Sequence, residues 1–348
     1  MISHVDGAPL VHGGDLDAAR RLFPGAPEPF IDLSTGINPY AYPIPQLSPN
    51  VFAQLPQLAA ADRLCAVAAR AYGAPTAAHV VAAPGTQILL PMVASLVPPG
   101  RAAVLSPTYG EYVRVAALAG HAVSEVTDIE QLNDANVAFL ANPNNPNGRI
   151  TAKETLVALA DRMRARNGIL VVDEAFMDVG PPGTSLAAEI THGNIVVLRS
   201  FGKFFGLAGL RLGFALAGME TAARLNALLG LWAVAGPALV VAEAALADSS
   251  WAETTRVRLA AAAGRLDRLL SRSGLEVVGG TSLFRLARTP SATTLFHRLG
   301  RKGIVVRCFP DQSSWLRFGL PASETEWQRL QVALTLIDDA TPARQETI

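Results

Sequence analysis

Ser200-Phe201-Gly202-Lys203-Phe204-Phe205-Gly206-Leu207-Ala208-Gly209-Leu210-Arg211 sets a single lysine among glycines and phenylalanines, with a hydroxyl three residues before it and an arginine eight after. The apolar run Ile195-Val196-Val197-Leu198 leads into this stretch and predicts a short buried strand. Apolar surroundings disfavour an ammonium and lower its pKa, and a neutral amine attacks carbonyls, the requirement for a Schiff base. Taken alone, a lysine beside a strand is more often a solvated surface charge. The reason for this one has to come from the rest of the chain.

Other polar residues follow apolar runs in the same way. Val80-Val81-Ala82-Ala83, Ala102-Ala103-Val104-Leu105, Val137-Ala138-Phe139-Leu140-Ala141 and Ile169-Leu170-Val171-Val172 alternate with helical patterns. Such alternation predicts an α/β fold with a mostly parallel central sheet and helices on both faces. The runs end in Gly85-Thr86-Gln87, in Thr108-Tyr109, in Asn142-Pro143-Asn144-Asn145-Pro146-Asn147-Gly148, in Asp173-Glu174 and in Ser200. The carboxyl ends of parallel strands share one edge, where ligands bind, so these segments are expected to be neighbours.

Each segment has a plain reading beside a chemical one. Gly85-Thr86-Gln87 alone favours an ordinary strand-to-helix turn, but free N–H groups at a helix start beside glycine also bind anions. Asp173, directly after strand residues, is expected to be partly buried and to need a partner, either an arginine or cap, or a protonated pyridine nitrogen. Asparagines such as Asn145 are common turn residues, yet at a ligand edge their amides suit a hydroxyl or phenolate. Tyr109 is a core aromatic or a plate over a planar ring. Arg211, Arg307 and Arg317 stand in apolar segments, which suits either a structural salt bridge or bidentate capture of a carboxylate or phosphate.

The elements that must hold these groups follow from pattern and length. At 348 residues the chain can form a large core and is expected to split into two domains, with an arm before them. Residues 1–40, irregular and rich in proline, read as an N-terminal arm; residues 41–235 as a large α/β domain; residues 236–348 as a smaller α+β domain with a final helix after Pro321. Apolar residues recur at helical spacing over 59–72, and Gly73 ends the run. Residues 227–242 form an apolar helix, buried or at a subunit interface and broken near Pro237, too short to span a bilayer. Lys+Arg and Asp+Glu both number 29, and a net charge of zero argues against nucleic-acid binding. Cys65 and Cys308 lie far apart in no metal spacing, which fits a reducing compartment. No signal-peptide pattern is seen at the N-terminus, so a cytoplasmic location is expected.

An imine-forming lysine, a carboxylate for a pyridinium, an amide for a phenolate, an aromatic plate and a phosphate nest together describe pyridoxal phosphate. At this point the chain resembles the class I/II aminotransferase superfamily, of fold type I. The resemblance implies that Lys203 carries the cofactor, that Ser200, Arg211, Gly85, Thr86 and Gln87 surround its phosphate, and that Asp173 pairs with the ring nitrogen. It also implies that Asn145 bonds the ring hydroxyl, that Tyr109 stacks on the ring, and that Arg317 holds the substrate carboxylate. His12-Gly13-Gly14, Asp32-Leu33-Ser34-Thr35-Gly36-Ile37-Asn38-Pro39 and Asp173-Glu174-Ala175-Phe176-Met177-Asp178 resemble the threonine-phosphate decarboxylases of cobalamin biosynthesis, close relatives of the histidinol-phosphate aminotransferases. On that basis His12, Gly13, Gly36, Asn145, Arg307 and Arg317 are candidates for substrate binding. Phe176 and Leu55 stand where many relatives carry tyrosines that reach the cofactor. The expected reaction is decarboxylation of O-phospho-L-threonine by a homodimer; transamination of a compound such as histidinol phosphate, and cofactor binding without catalysis, are the competing expectations.

Overall fold

The computed structural model describes residues 13–335. α1 (Leu16–Leu22) and β1 (Ile31–Leu33) come first. They are followed by α2 (Asn50–Ala53), α3 (Leu58–Tyr72), β2 (Val80–Ala83), α4 (Thr86–Ala94), β3 (Arg101–Leu105), α5 (Glu111–Leu118) and β4 (Ala122–Val126). Next are β5 (Val137–Ala141), α6 (Lys153–Arg164), β6 (Ile169–Asp173), β7 (Ile195–Ser200), α7 (Phe201–Phe204), β8 (Gly213–Ala217), α8 (Met219–Leu229), α9 (Gly236–Ala247) and α10 (Ser249–Arg272). β9 (Glu276–Thr281), β10 (Phe284–Arg288), α11 (Ala292–Arg301), β11 (Ile304–Cys308), β12 (Trp315–Gly319) and α12 (Glu324–Thr335) complete the described chain. Two compact units result: residues 40–256, and a second that joins the segment before residue 40 to the segment after residue 256.

The unit of residues 40–256 is built on a seven-stranded sheet in the order β2-β8-β7-β6-β5-β3-β4. β8 runs antiparallel to both β2 and β7, and the other pairings are parallel. Every residue of β5 and β8 is buried, as strands covered on both faces require. On one face Leu89, Leu90 and Val93 of α4, Tyr112 and Val115 of α5, and Leu225 of α8 pack on Val104, Phe139, Val171 and Ala215. α3 packs on β2 and α6 on β6. α3 stops at Gly73, whose φ of +80° is open to glycine at little cost.

The second unit has a five-stranded sheet in the order β1-β11-β12-β10-β9, with β1 parallel to β11 and the remaining pairs antiparallel. The proline-rich N-terminal stretch therefore supplies a strand, through Ile31 opposite Ile304. The apolar run over 227–242 divides earlier than Pro237 suggests. α8 ends at Leu229, Gly230 takes φ +71°, and Pro237 sits in the first turn of α9, where its missing N–H costs nothing. α9 packs against α2 and α3 and so belongs with residues 40–256. Asp248 separates α9 from α10, its carboxylate accepting from Trp251 N at 2.9 Å.

One buried ion network fixes the ends of β6 and β7. Arg199 Nη1 donates to Glu174 Oε2 at 3.0 Å and Nη2 to Asp178 Oδ1 at 2.8 Å, while the guanidinium lies 4.4 Å from the Tyr72 ring centroid. Glu174 is fully buried and also accepts from Ser185 Oγ and Leu186 N. Burial pushes its carboxyl up, and the arginine opposes this. Removing the cation leaves two buried carboxylates uncompensated, so Arg199→Ala is expected to cost about 3–5 kcal/mol in a urea unfolding experiment. A midpoint within error of the parent would show that the network is not stabilising.

Candidate active site

β8 runs back along β7 with Ser200 opposite Gly213, and β2 runs along β8 with Ala83 opposite the same glycine. This register gathers the end of β7, the turn after β2 and the segment before β8. Gly213 is required there, because a Cβ on it would lie 2.6 Å from Thr86 N. Gly85 has φ +87° and caps α4, and a Cβ on it would come within 3.0 Å of Arg211 Nη2. Arg211 itself takes φ +52°, a region unfavourable for a residue with a Cβ, and its Nη1 donates to Ala208 O at 3.2 Å. The result is a cradle of two glycines, a helix start and a guanidinium, suited to a phosphate. The Gln87 side chain links two neighbouring residues: its Oε1 accepts from Tyr109 OH at 3.2 Å and its Nε2 donates to Glu111 Oε2 at 2.5 Å.

Lys203 lies in α7, directly after β7, and is half-buried. The short helix is held by aromatic packing. Phe201 stacks on Phe205 at 4.5 Å, Phe205 stacks on Trp251 at 5.6 Å, and Arg256 covers Phe204. Gly202 lets the following turn close, since a Cβ there would lie 2.7 Å from Ala208 Cα. Lys203 Nζ is 5.9 Å from the Phe176 ring centroid.

Asp173 ends β6, only 8% exposed. Its Oδ2 accepts from Tyr112 OH at 2.7 Å and its Oδ1 from Ala175 N at 3.0 Å. Burial raises its carboxyl above the usual range, against the Tyr112 and Ala175 hydrogen bonds and the charge of Lys203. Sequence reasoning passed over Tyr112, which reads as one more apolar position of α5. The only clue was a tyrosine one helical turn beyond Tyr109.

Within the asparagine loop the structure separates scaffold from candidate. Asn142 exchanges hydrogen bonds with the backbone of Thr151, and Asn144 bonds Thr108 Oγ1, Pro107 O and Asn147 Oδ1. Asn145 is half-buried beside them. Tyr109 meets Tyr112 edge to face, with centroids 5.6 Å apart.

In the other unit, Arg307 lies directly opposite Arg317 across β11 and β12. Arg317 is buried, covers the Phe284 ring at 5.0 Å, and donates from Nη2 to Ser34 O at 2.8 Å. Burial and the Arg307 charge push its guanidinium down to about 9, opposed by Asp32. Ser34 is in turn fixed by Asp32 Oδ1 and accepts from Gly14 N at 2.9 Å. Gly13 packs so closely that a Cβ would lie 2.4 Å from Ser34 O, and a Cβ on Gly319 would lie 2.5 Å from Thr35 O. Gly13 and Arg317 thus meet at Ser34, with the buried Gly36 two residues on. His12 lies outside the described residues.

A lysine amine, a buried carboxylate that feels its charge, and a glycine-lined phosphate cradle can together receive a phosphorylated pyridine aldehyde. The glycines support this most directly, because side chains at positions 85 or 213 would fill the cradle.

A family model for aminotransferases of class I and II matches residues 30–334. The chain is 40% identical over 333 residues to the threonine-phosphate decarboxylase of Sinorhizobium sp., covering 95% of this chain and 99% of that one. It is 41% identical over 328 residues to the threonine-phosphate decarboxylase of Pseudomonas aeruginosa, covering 93% and 97%. Its fold is similar to that of the histidinol-phosphate aminotransferase from Sinorhizobium meliloti in complex with pyridoxal-5'-phosphate, with a TM-score of 0.80, 22% identity and 96% of each chain covered.

Borohydride reduction of the protein incubated with pyridoxal phosphate is expected to fix the cofactor to Lys203, as peptide mapping would show. Lys203→Ala should abolish the label while leaving the fold intact. Labelling to the same extent in the variant would remove Lys203 from this role.

Proposed function

The chain belongs to the class I and II aminotransferase family, whose cofactor is pyridoxal phosphate, and from that premise we propose that it decarboxylates O-phospho-L-threonine. The products are (R)-1-aminopropan-2-yl phosphate and CO₂, and the reaction belongs to cobalamin biosynthesis in the cytoplasm. The observation that carries the reading is likeness over nearly the whole chain to two proteins named threonine-phosphate decarboxylase. The geometry that agrees with it is the opposed pair Arg307 and Arg317.

Lys203 holds the cofactor. The cradle of Ser200, Gly85, Thr86 and Arg211 receives its phosphate, Asp173 faces its ring nitrogen, Asn145 its ring hydroxyl and Tyr109 its ring plane; Gln87 orients Tyr109. When bound, the cofactor withdraws electrons from bonds at the substrate's α-carbon. The bond held perpendicular to the ring breaks fastest, so the residues that grip the substrate's ends decide the reaction. Arg307 and Arg317, with the Gly13 and Gly36 backbone, hold the carboxylate and the phosphate. An arginine fork suits either group. By gripping the phosphate, these residues would set which α-carbon bond is presented to the cofactor, and for decarboxylation that is the bond to the carboxylate.

With pyridoxal phosphate and O-phospho-L-threonine the protein should release CO₂ and aminopropanol phosphate, with no need of a keto acid. Threonine without the phosphate should react at least about 100-fold more slowly, the loss of one or two charge-assisted contacts. No CO₂ from phosphothreonine, together with glutamate formation from histidinol phosphate and 2-oxoglutarate, would overturn the reading in favour of transamination.

We also infer a homodimer. α2 and α3 pack on α9, and on or beside these elements Phe52, Leu55, Leu58, Trp232 and Val240 are exposed. Gathered large apolar side chains mark an interaction surface. Light scattering at micromolar concentration should report about twice the chain mass; monomer alone in an active preparation would exclude the dimer.

A further inference from the structure

The reading of the cofactor site leaves one buried polar group without a role. Tyr112 is 1% exposed, its ring is stacked on Phe139 at 5.7 Å and 10°, and Tyr109 closes its edge. Phe139 belongs to β5, whose Ala141 lies opposite Asp173 on β6. The ring is therefore clamped to the same part of the sheet that carries the carboxylate. Its hydroxyl cannot turn away from Asp173 Oδ2, 2.7 Å distant, without breaking that packing.

We propose that Tyr112 is a positioning residue for the reaction: its hydroxyl bond to Asp173 keeps the carboxylate ionised and aimed, and thereby keeps the cofactor's ring nitrogen protonated. The proposal rests on the cofactor reading given above. The groups that act on Asp173 are Tyr112 from α5, the Ala175 N–H beyond β6 and Lys203 from α7. Lys203 is the one whose charge is altered when it takes up the cofactor, whereas the other two stay in place. Tyr112 also stays a donor at every working pH, because burial and the Asp173 charge, with a smaller contribution from Tyr109, push its phenol well up. Without that donor the carboxylate becomes more basic and draws the shared proton away from the ring.

The test uses holoenzyme loaded with pyridoxal phosphate labelled with ¹⁵N in the ring, in the parent and in Tyr112→Phe, which keeps the stacked ring. The parent's resonance should report a protonated nitrogen through neutral pH. In the variant the midpoint of its pH titration should fall by about one unit, with kcat for phosphothreonine down about tenfold and KM little changed. An unmoved midpoint in a folded, loaded variant overturns the proposal, whatever the change in stability. Should Tyr112→Phe fail to fold, a tyrosine fluorinated beside its hydroxyl keeps the shape and donates more strongly. Its midpoint should rise by a few tenths of a unit, and an unmoved one again overturns the proposal. A parent protein that takes up no labelled cofactor would instead sink the cofactor reading itself.

Discussion

The antiparallel return from β7 to β8 is the constraint on which the candidate site depends. In a wholly parallel sheet the chain leaving Ser200 would run on into a crossover helix. Here it makes the short α7, turns back, and brings Gly213 opposite Ser200 with Arg211 just before it. Lysine, hydroxyl and guanidinium therefore leave one hairpin-like excursion, and β2 on the far side of β8 adds Gly85 and Thr86. The close approach is possible only because position 213 has no side chain: a Cβ there would lie 2.6 Å from Thr86 N. Backbone register, rather than any pairwise contact, sets the dimensions of the cradle.

Two buried charges at the ends of β6 and β7 are handled in opposite ways. Arg199 is consumed by the fold, with Glu174 and Asp178 as partners and Tyr72 beneath it. Asp173, one residue before Glu174, is supplied with a tyrosine hydroxyl and a backbone N–H, which hold its charge without cancelling it. Neutral donors stabilise a carboxylate less than a cation does, so it can still pair with a positive charge.

Much of this was readable from residue type and spacing. Fully buried strands such as Val137-Ala138-Phe139-Leu140-Ala141 announce themselves as apolar runs, and the polar residues after them mark the shared edge. β4 was missed because it is an edge strand with mostly exposed residues, and β1 because three residues among prolines carry no period. β9 contains Gly279 and Gly280, which dilute its strand pattern. Of the site, the lysine, the aspartate and the glycines stood out as types that chemistry or close approach demands. Tyr112 did not, because its distinction lies in what it touches. Position after Gly85-Thr86 places Gln87 near the phosphate cradle, but not where its side chain goes: to Tyr109 and Glu111.

The lysine, carboxylate and cradle can serve the cleavage of any bond at an α-carbon, so they do not by themselves distinguish a decarboxylase from an aminotransferase. On the proposed reading, the discriminating chemistry falls to Arg307 and Arg317. Like charges directly opposite on neighbouring strands repel, and burial of one of them adds to the cost. Asp32, whose Oδ1 accepts from Ser34 N and Ser34 Oγ, opposes part of this cost through its charge. An anion placed against two like charges lowers the cost of holding them together, and a ligand with two anionic ends lowers it more than one with a single end. Phosphothreonine has a phosphate and a carboxylate on one small skeleton; histidinol phosphate has the phosphate alone. If both arginines grip the substrate as proposed, that difference favours phosphothreonine, whose carboxylate can be both recognised and lost.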